Sequence, residues 1–316
     1  MRAFAFCLCA VVLSLFPSWR PALAASAPPS EKPANRVPGP MVIPQAWPGG
    51  DTLPAGLFAI MNHVSLAHYK PYRHSSPYTM RVRTPAGKMK VGPRSGEQFV
   101  DVLKLRYAFT DRLEIRTATP FVNLDLKNHN ANGSWKGGLG DTTMMLRYGL
   151  KKRTDDSPFS VALDLGVTLP TGEVGDQSKY LATNAFSVVM GGGVSWVDHN
   201  QRVDFDGRYA AYTEGAHGIK PGDFTLFHGH YAYALSRNFD IGAEAFYRIE
   251  QQSSVHGKGQ RNAFSEAYVG PKIQIKVPEW SYLMVGAAAL FPAYRHYDDM
   301  RLSTDTRWEF SVPVAF

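Results

Sequence analysis

The chain has 316 residues, 44% of them hydrophobic and 19% charged, with a formal charge of +7 at neutral pH. The basic excess is spread thinly and forms no block, which argues against a nucleic-acid-binding face. Both cysteines, Cys7 and Cys9, lie near the start, so the rest of the chain has no disulfide framework.

Arg2 is followed by the apolar run from Ala3 to Phe16, then Pro17, Ser18 and the small-residue stretch Ala22-Leu23-Ala24. This is the layout of a secretory signal peptide, with cleavage expected after Ala24 and residues 1–24 removed on export. Pro17, Arg20 and Pro21 break the run too early for a transmembrane helix, which needs about 20 apolar residues. Loss of Arg2 and Arg20 lowers the formal charge to about +5. Residues 25–55 hold Pro28, Pro29, Pro33, Pro38, Pro40, Pro44, Pro48 and Pro54 and cannot form continuous helix or ladder. The segment reads either as a tether or as a lumen plug in which Met41 to Trp47 folds back, and composition leaves both open.

From residue 56 to 316 alternating segments recur, separated by turn residues, and about 12 of them are expected to cross a bilayer. They lie near Gly56–His68, Glu97–Phe109, Leu113–Asn123, Gly138–Lys151, Pro158–Leu169, Leu181–Val197, Gln201–Thr213, Phe224–Ser236, Phe239–Gln252, Asn262–Lys276, Ser281–Tyr294 and Ser303–Phe316. Each exceeds the 5 to 6 residues usual in soluble sheets and meets the roughly 9 to 11 that a tilted membrane strand requires. Short connections such as Thr110-Asp111-Arg112 and Arg237-Asn238 alternate with long ones such as Tyr69 to Gly96 and Ser253 to Arg261. Short turns on one side and long loops on the other are the plan of an outer-membrane antiparallel up-and-down β-barrel, with the short side periplasmic. The fold class expected is therefore all-β.

The alternation also assigns faces. In the fifth segment Val161, Leu163, Leu165, Val167 and Leu169 fall on one side and Ala162, Asp164, Gly166 and Thr168 on the other. In a membrane barrel the apolar side meets lipid and the polar side lines the lumen. The same parity places Lys104, Arg106, Glu114, Arg116, Asp141, Arg147, Asp164, Asp204, Asp206, Arg208, Glu244, Arg248, Glu266, Arg307 and Glu309 inward. Mixed signs on that face predict cross-strand ion pairs that stiffen the wall, not a selectivity ring of one sign.

Gly138-Leu139-Gly140-Asp141 leading into Leu146-Arg147-Tyr148, then Leu165-Gly166-Val167-Thr168-Leu169-Pro170-Thr171-Gly172, resembles the outer-membrane β-barrel family labelled for the meta-pathway of phenol degradation. The resemblance implies a transporter-type barrel and supplies no catalytic or ligand-binding residue. The last segment, with Phe310, Val312, Val314 and a terminal Phe316 on one face, is similar to the C-terminal signal by which assembly machinery recognises such barrels.

Catalytic and metal constellations are weak. His129, Asn132 and Ser134 share one loop and Ser253, Ser254 and His256 another, and neither set places Ser and His on adjacent lipid-facing strands as a lipid hydrolase requires. His228 and His230 share the lumen face, with no third ligand near in sequence. The expectation is a non-enzymatic channel in the outer membrane of a Gram-negative bacterium, without cofactor or metal. It would pass small molecules of unknown identity, hydrophobic or aromatic ones included. The partners expected are outer-membrane lipid and the barrel-assembly machinery, with no nucleic acid. A structural or surface-interaction barrel with a filled lumen is the alternative, and an outer-membrane lipid hydrolase the more distant one.

Overall fold

A computed structural model describes residues 49–71, 81–84, 87–90, 93–128, 136–173, 184–259, 262–277, 283–298 and 302–315. Its barrel strands are β1 (Phe58–Pro71), β2 (Pro93–Ala108), β3 (Leu113–Asn128), β4 (Thr142–Lys151, preceded by a short piece at Lys136–Leu139), β5 (Phe159–Leu169) and β6 (Ser187–Asp198). They continue with β7 (Gln201–Tyr212), β8 (Phe224–Ala234), β9 (Phe239–Glu250), β10 (Phe264–Lys276), β11 (Met284–Tyr297) and β12 (Leu302–Ala315). Each pairs antiparallel with its sequence neighbours. The first strand closes on the last, in a register running from Ala59 opposite Ala315 to Pro71 opposite Leu302. Closure removes both free edges, the condition for burying a sheet in lipid, where no water can satisfy an unpaired backbone group.

The predicted alternation is visible as burial. Along β5, Ser160, Ala162 and Asp164 are buried while Phe159, Leu163 and Leu165 are exposed on the outside. The outer wall is an apolar belt that includes Leu103, Leu146, Leu163, Met190, Phe205, Phe291 and Phe310. Tyr107, Phe109, Tyr148 and Phe159 crowd its short-turn end, and the rings of Tyr107 and Phe109 meet edge to face at 5.1 Å. Such aromatics suit the lipid–water boundary, where one end of the ring is apolar and the other wet. Asn62 and Asp101 interrupt the belt and satisfy each other, the amide donating to the carboxylate at 2.6 Å.

Twelve crossing segments agree with the sequence reading, and the differences lie at the long-loop end. There β1, β2 and β3 run on to Pro71, Pro93 and Asn128, beyond the expected ends, because the ladder between them continues and keeps their backbone groups paired outside the belt. Two small additions decorate the long links: a hairpin of Arg81–Thr84 with Gly87–Lys90, and a three-stranded patch of Ile219–Lys220, Ser254–Val255 and Lys258–Gly259. The GLGD and LPTG motifs form a clasp where β4 is interrupted. Gly140 N–H donates to the Pro120 carbonyl at 2.7 Å, Gly172 N–H to Asp141 Oδ1 at 2.9 Å and Thr142 N–H to Thr171 Oγ1 at 2.9 Å. The motif therefore has a structural use, holding β3, β4 and the end of β5 together.

Leu165 stands midway along the belt with 61% of its surface outward. Leu165→Arg is expected to destabilise the barrel by about 2–4 kcal/mol, the cost of an arginine facing the bilayer midplane. Reversible denaturant unfolding in liposomes, compared with Leu165→Val, measures it.

Candidate functional site

The lumen is where the chain spends its charge. Because the strands alternate, every second side chain points inward, and the polar half of each strand meets the polar half of its neighbours across a narrow bore. Arg147 and Asp164 face each other on β4 and β5, Nε–H to Oδ1 at 2.7 Å and Nη2–H to Oδ2 at 2.6 Å, with both side chains wholly buried. Glu114 accepts from Arg106 Nη2 at 2.9 Å and from the neighbouring Arg116. Arg202 gives Asp204 a second fork, Nε at 2.8 Å and Nη2 at 2.9 Å, while His230 Nδ1 lies 3.2 Å from the same carboxylate.

Further toward the middle, Glu244 lies between Lys272 Nζ at 2.7 Å and His228 Nε2 at 2.8 Å. The other ring nitrogen of His228 is 3.2 Å from Asp206, which Arg208 Nη2 approaches to 3.5 Å. Arg307 Nε donates to Glu309 at 2.9 Å, and His63 lies 3.7 Å from that carboxylate. Lys104 is buried on the same inner face. A lone charge in so dry a place would cost several kcal/mol, and the pairing with forked hydrogen bonds offsets that cost. Through this lattice the side chains face one another instead of a water-filled bore.

Other inward candidates sit apart from the lattice. Glu266 accepts the hydroxyls of Tyr297 at 2.8 Å and Tyr268 at 3.1 Å. Arg248 lies nearer the long-loop mouth, where its Nη2 donates to Glu250 at 2.6 Å. Asp141 belongs to the clasp described above. Phe310, Val312 and Val314 lie opposite Val64, Asn62 and Ile60 in the closing seam; Phe316, Met41–Trp47 and the loop holding His129, Asn132 and Ser134 lie outside the described residues. His228 and His230 diverge toward different carboxylates, and among the described residues no group of three His, Cys, Asp or Glu is arranged to hold a metal.

The lattice also grips the chain ahead of β1. Gly49 to Ala55 enters the lumen from the short-turn end. Arg147 Nη1 donates to the Gly49 carbonyl at 2.5 Å, Gly50 N–H to Ser195 Oγ at 2.8 Å, and Leu53 N–H to Glu114 Oε2 at 2.8 Å. Asp51 accepts the Ser160 hydroxyl at 2.6 Å and Arg202 at 2.8 Å. At the rim Asp111 receives Ala55 N–H at 2.9 Å. Two glycines make this approach feasible. Gly49 adopts φ +44°, and a Cβ on Gly193 of β6 would strike its carbonyl. Sequence reasoning passed over Arg202, Gly193 and Ser195; strand parity from Gln201 places Arg202 inward, and the run Gly191-Gly192-Gly193 is the signal that something approaches this wall closely.

Burial works against the charge of Asp51, but Arg202 and the Ser160 hydroxyl outweigh it and hold its carboxyl below the ordinary aspartate value. A depressed value means that this anchor is fully present above the ordinary aspartate range, near 3.9, and is lost as pH falls through the lowered one.

Residues 79–294 match the sequence profile of the family described as "Putative MetA-pathway of phenol degradation". Among solved structures the chain is similar to an outer-membrane channel from Pseudomonas putida F1, at 13% identity over 87% of this chain and 100% of that one, with a TM-score of 0.67. At that identity the likeness is one of fold. The CymD monoaromatic hydrocarbon channel overlaps at 10% identity over 83% of this chain and 88% of that one, with a TM-score of 0.39. A Pseudomonas aeruginosa FadL homologue has the same identity, the same share of this chain and the same TM-score, over 90% of its own length. Both are too remote to carry an argument. No curated protein matches the chain by sequence.

Two outcomes are expected of these contacts. Arg147→Ala strands a buried Asp164 and should cost about 3–5 kcal/mol in denaturant unfolding, whereas Arg147→Met with Asp164→Leu should recover most of it. A cysteine at Thr52, in a chain with Cys7 and Cys9 changed to Ser, should react slowly with an acid-active disulfide reagent from neutral pH down to the aspartate range. It should react fast only below that range, as Asp51 protonates and lets go of Arg202. Equal rates at all pH values would show that Asp51 does not hold the segment.

Proposed function

The chain belongs to this phenol-degradation family of outer-membrane barrels, and from that premise we propose that it is a channel for passive passage of small molecules, hydrophobic and aromatic ones included. The observation that carries the reading is the inversion of polarity: a closed wall with lipid-compatible side chains outside, interrupted by the Asn62–Asp101 pair, and the buried ion pairs inside. Residues 1–24 act as the export signal in this reading. Residues 25–55 act as a plug fastened at its Gly49–Ala55 end, and the apolar face of β12 serves recognition by the assembly machinery. The channel is then closed at rest, and opening requires the segment to leave or the lattice to part.

The same filled lumen favours a second reading, a structural or surface-interaction barrel that passes nothing. Single-channel recording in planar bilayers separates the two. The mature protein is expected to conduct weakly, and both removal of residues 25–51 and Gly193→Val, which leaves no room for the Gly49 carbonyl, are expected to raise conductance several-fold. Liposome swelling with phenol-sized solutes should follow the same order. Equal porin-like conductance in all three proteins would overturn the plug, and no conductance or swelling in any of them, with folded barrel verified by heat-modifiable migration, would overturn the channel.

A further inference from the structure

Two of the lumen arginines contrast with a third. Arg147 and Arg202 are saturated: each gives a fork to a carboxylate, each donates again to the incoming segment, and each is almost completely buried. Arg248 differs on every count. Its side chain is 41% exposed, its one carboxylate contact among the described residues is Nη2 to Glu250, and its Nε is covered yet without a hydrogen-bond partner. Glu266, opposite Arg248 in the ladder with β10, is already engaged by the hydroxyls of Tyr268 and Tyr297.

The surroundings of Arg248 are equally particular. Its guanidinium lies over the rings of Phe224 on β8 and Phe264 on β10, 5.2 and 5.5 Å from their centroids. Phe264 stacks on Tyr297 at 5.7 Å, and Phe224 leans on Tyr212 at 6.2 Å. The two rings thus flank the cation from the neighbouring strands, and 41% of its side chain stays exposed with Nη–H donors beyond the one given to Glu250. A planar guanidinium presented edge-on matches a carboxylate, which takes two parallel N–H donors. The rings beside it are only half-buried, and their outer edges suit edge-to-face contact with a second flat ring.

We propose that the long-loop mouth of the lumen is a capture site for aromatic carboxylates, in which Arg248 takes the carboxylate while Phe224 and Phe264 flank the ring. The proposal deepens the channel reading and rests on it for its purpose, but binding itself does not require passage. A neutral phenol would use the rings alone, and a short aliphatic acid the guanidinium alone, so both bind more weakly than a molecule that uses both.

Isothermal titration of the full mature protein in detergent tests this, with benzoate as the probe and phenol, acetate and cyclohexanecarboxylate as comparators. Benzoate should bind tightest. Arg248→Gln should weaken benzoate about tenfold or more while leaving phenol unchanged, since a charge-assisted hydrogen bond is worth at least that factor. Arg248→Lys should restore part of the loss, and Phe224→Leu with Phe264→Leu should remove the preference for benzoate over cyclohexanecarboxylate. Heat-modifiable migration verifies that each variant is folded. Benzoate affinity indifferent to Arg248→Gln, or no stronger than that of phenol, would overturn the capture site. Tight, Arg248-dependent benzoate binding in a protein that passes no solute into liposomes would support the site and overturn the channel; passage of aromatic solutes without such binding would do the reverse.

Discussion

Arg147 and Asp164 meet across two strands with paired hydrogen bonds of 2.7 and 2.6 Å and no contact with solvent, and much of the molecule is arranged so that this can happen. A charge cannot face lipid at the midplane without a cost of about 2–4 kcal/mol, and it cannot sit alone in a dry lumen either. The inward positions must therefore be filled by both signs in register, each cation with an acceptor on its own or an adjacent strand. Glu114 with Arg106 and Arg116, Asp204 with Arg202, and Glu244 with Lys272 and His228 repeat the solution around the wall.

The same requirement accounts for the grip on Gly49 to Ala55. Backbone carbonyls and amides are polar groups without charge, so they complete the hydrogen bonding of an arginine or a carboxylate without upsetting the balance of the lattice. Gly49 and Gly50 bring bare backbone to Arg147 and Ser195, and Asp51 adds a carboxylate beside Arg202, which already serves Asp204. The segment is held by what the wall has left over. Gly193 supplies the space by lacking a side chain where Gly49 passes.

At the long-loop end the logic changes. Phenylalanine and tyrosine line the inside where the lattice stops, and Arg248 there sits against the rings of Phe224 and Phe264. Arg248 pairs with Glu250 as well, but its side chain remains 41% exposed, which leaves it within reach of a solute. The lumen thus has a middle of buried, mostly paired charges and a mouth at which Arg248 stays partly exposed.

Strand alternation made the wall legible in sequence: twelve segments, their inward and outward faces, the alternation of short and long connections, and the signature at Gly138–Gly172 are local properties of a chain with period two. The inward position of Arg147 or Glu244 follows from parity alone. What parity cannot supply is the partner. Arg248 and Glu266 are both inward, yet Glu266 goes to two tyrosines and Arg248 to Glu250 and two phenylalanines. The segment ahead of β1 shows the same limit, since its proline content allows either a tether or a plug, whereas Gly50 meets Ser195 across 145 residues of chain and Gly49 meets Arg147 across 98. Local sequence determined which side of the wall each side chain faces, because that depends only on the pleat. Which charges pair, and which arginine is left open, was decided by closure of the barrel, because only closure brings distant strands and the incoming segment to within a hydrogen bond of one another.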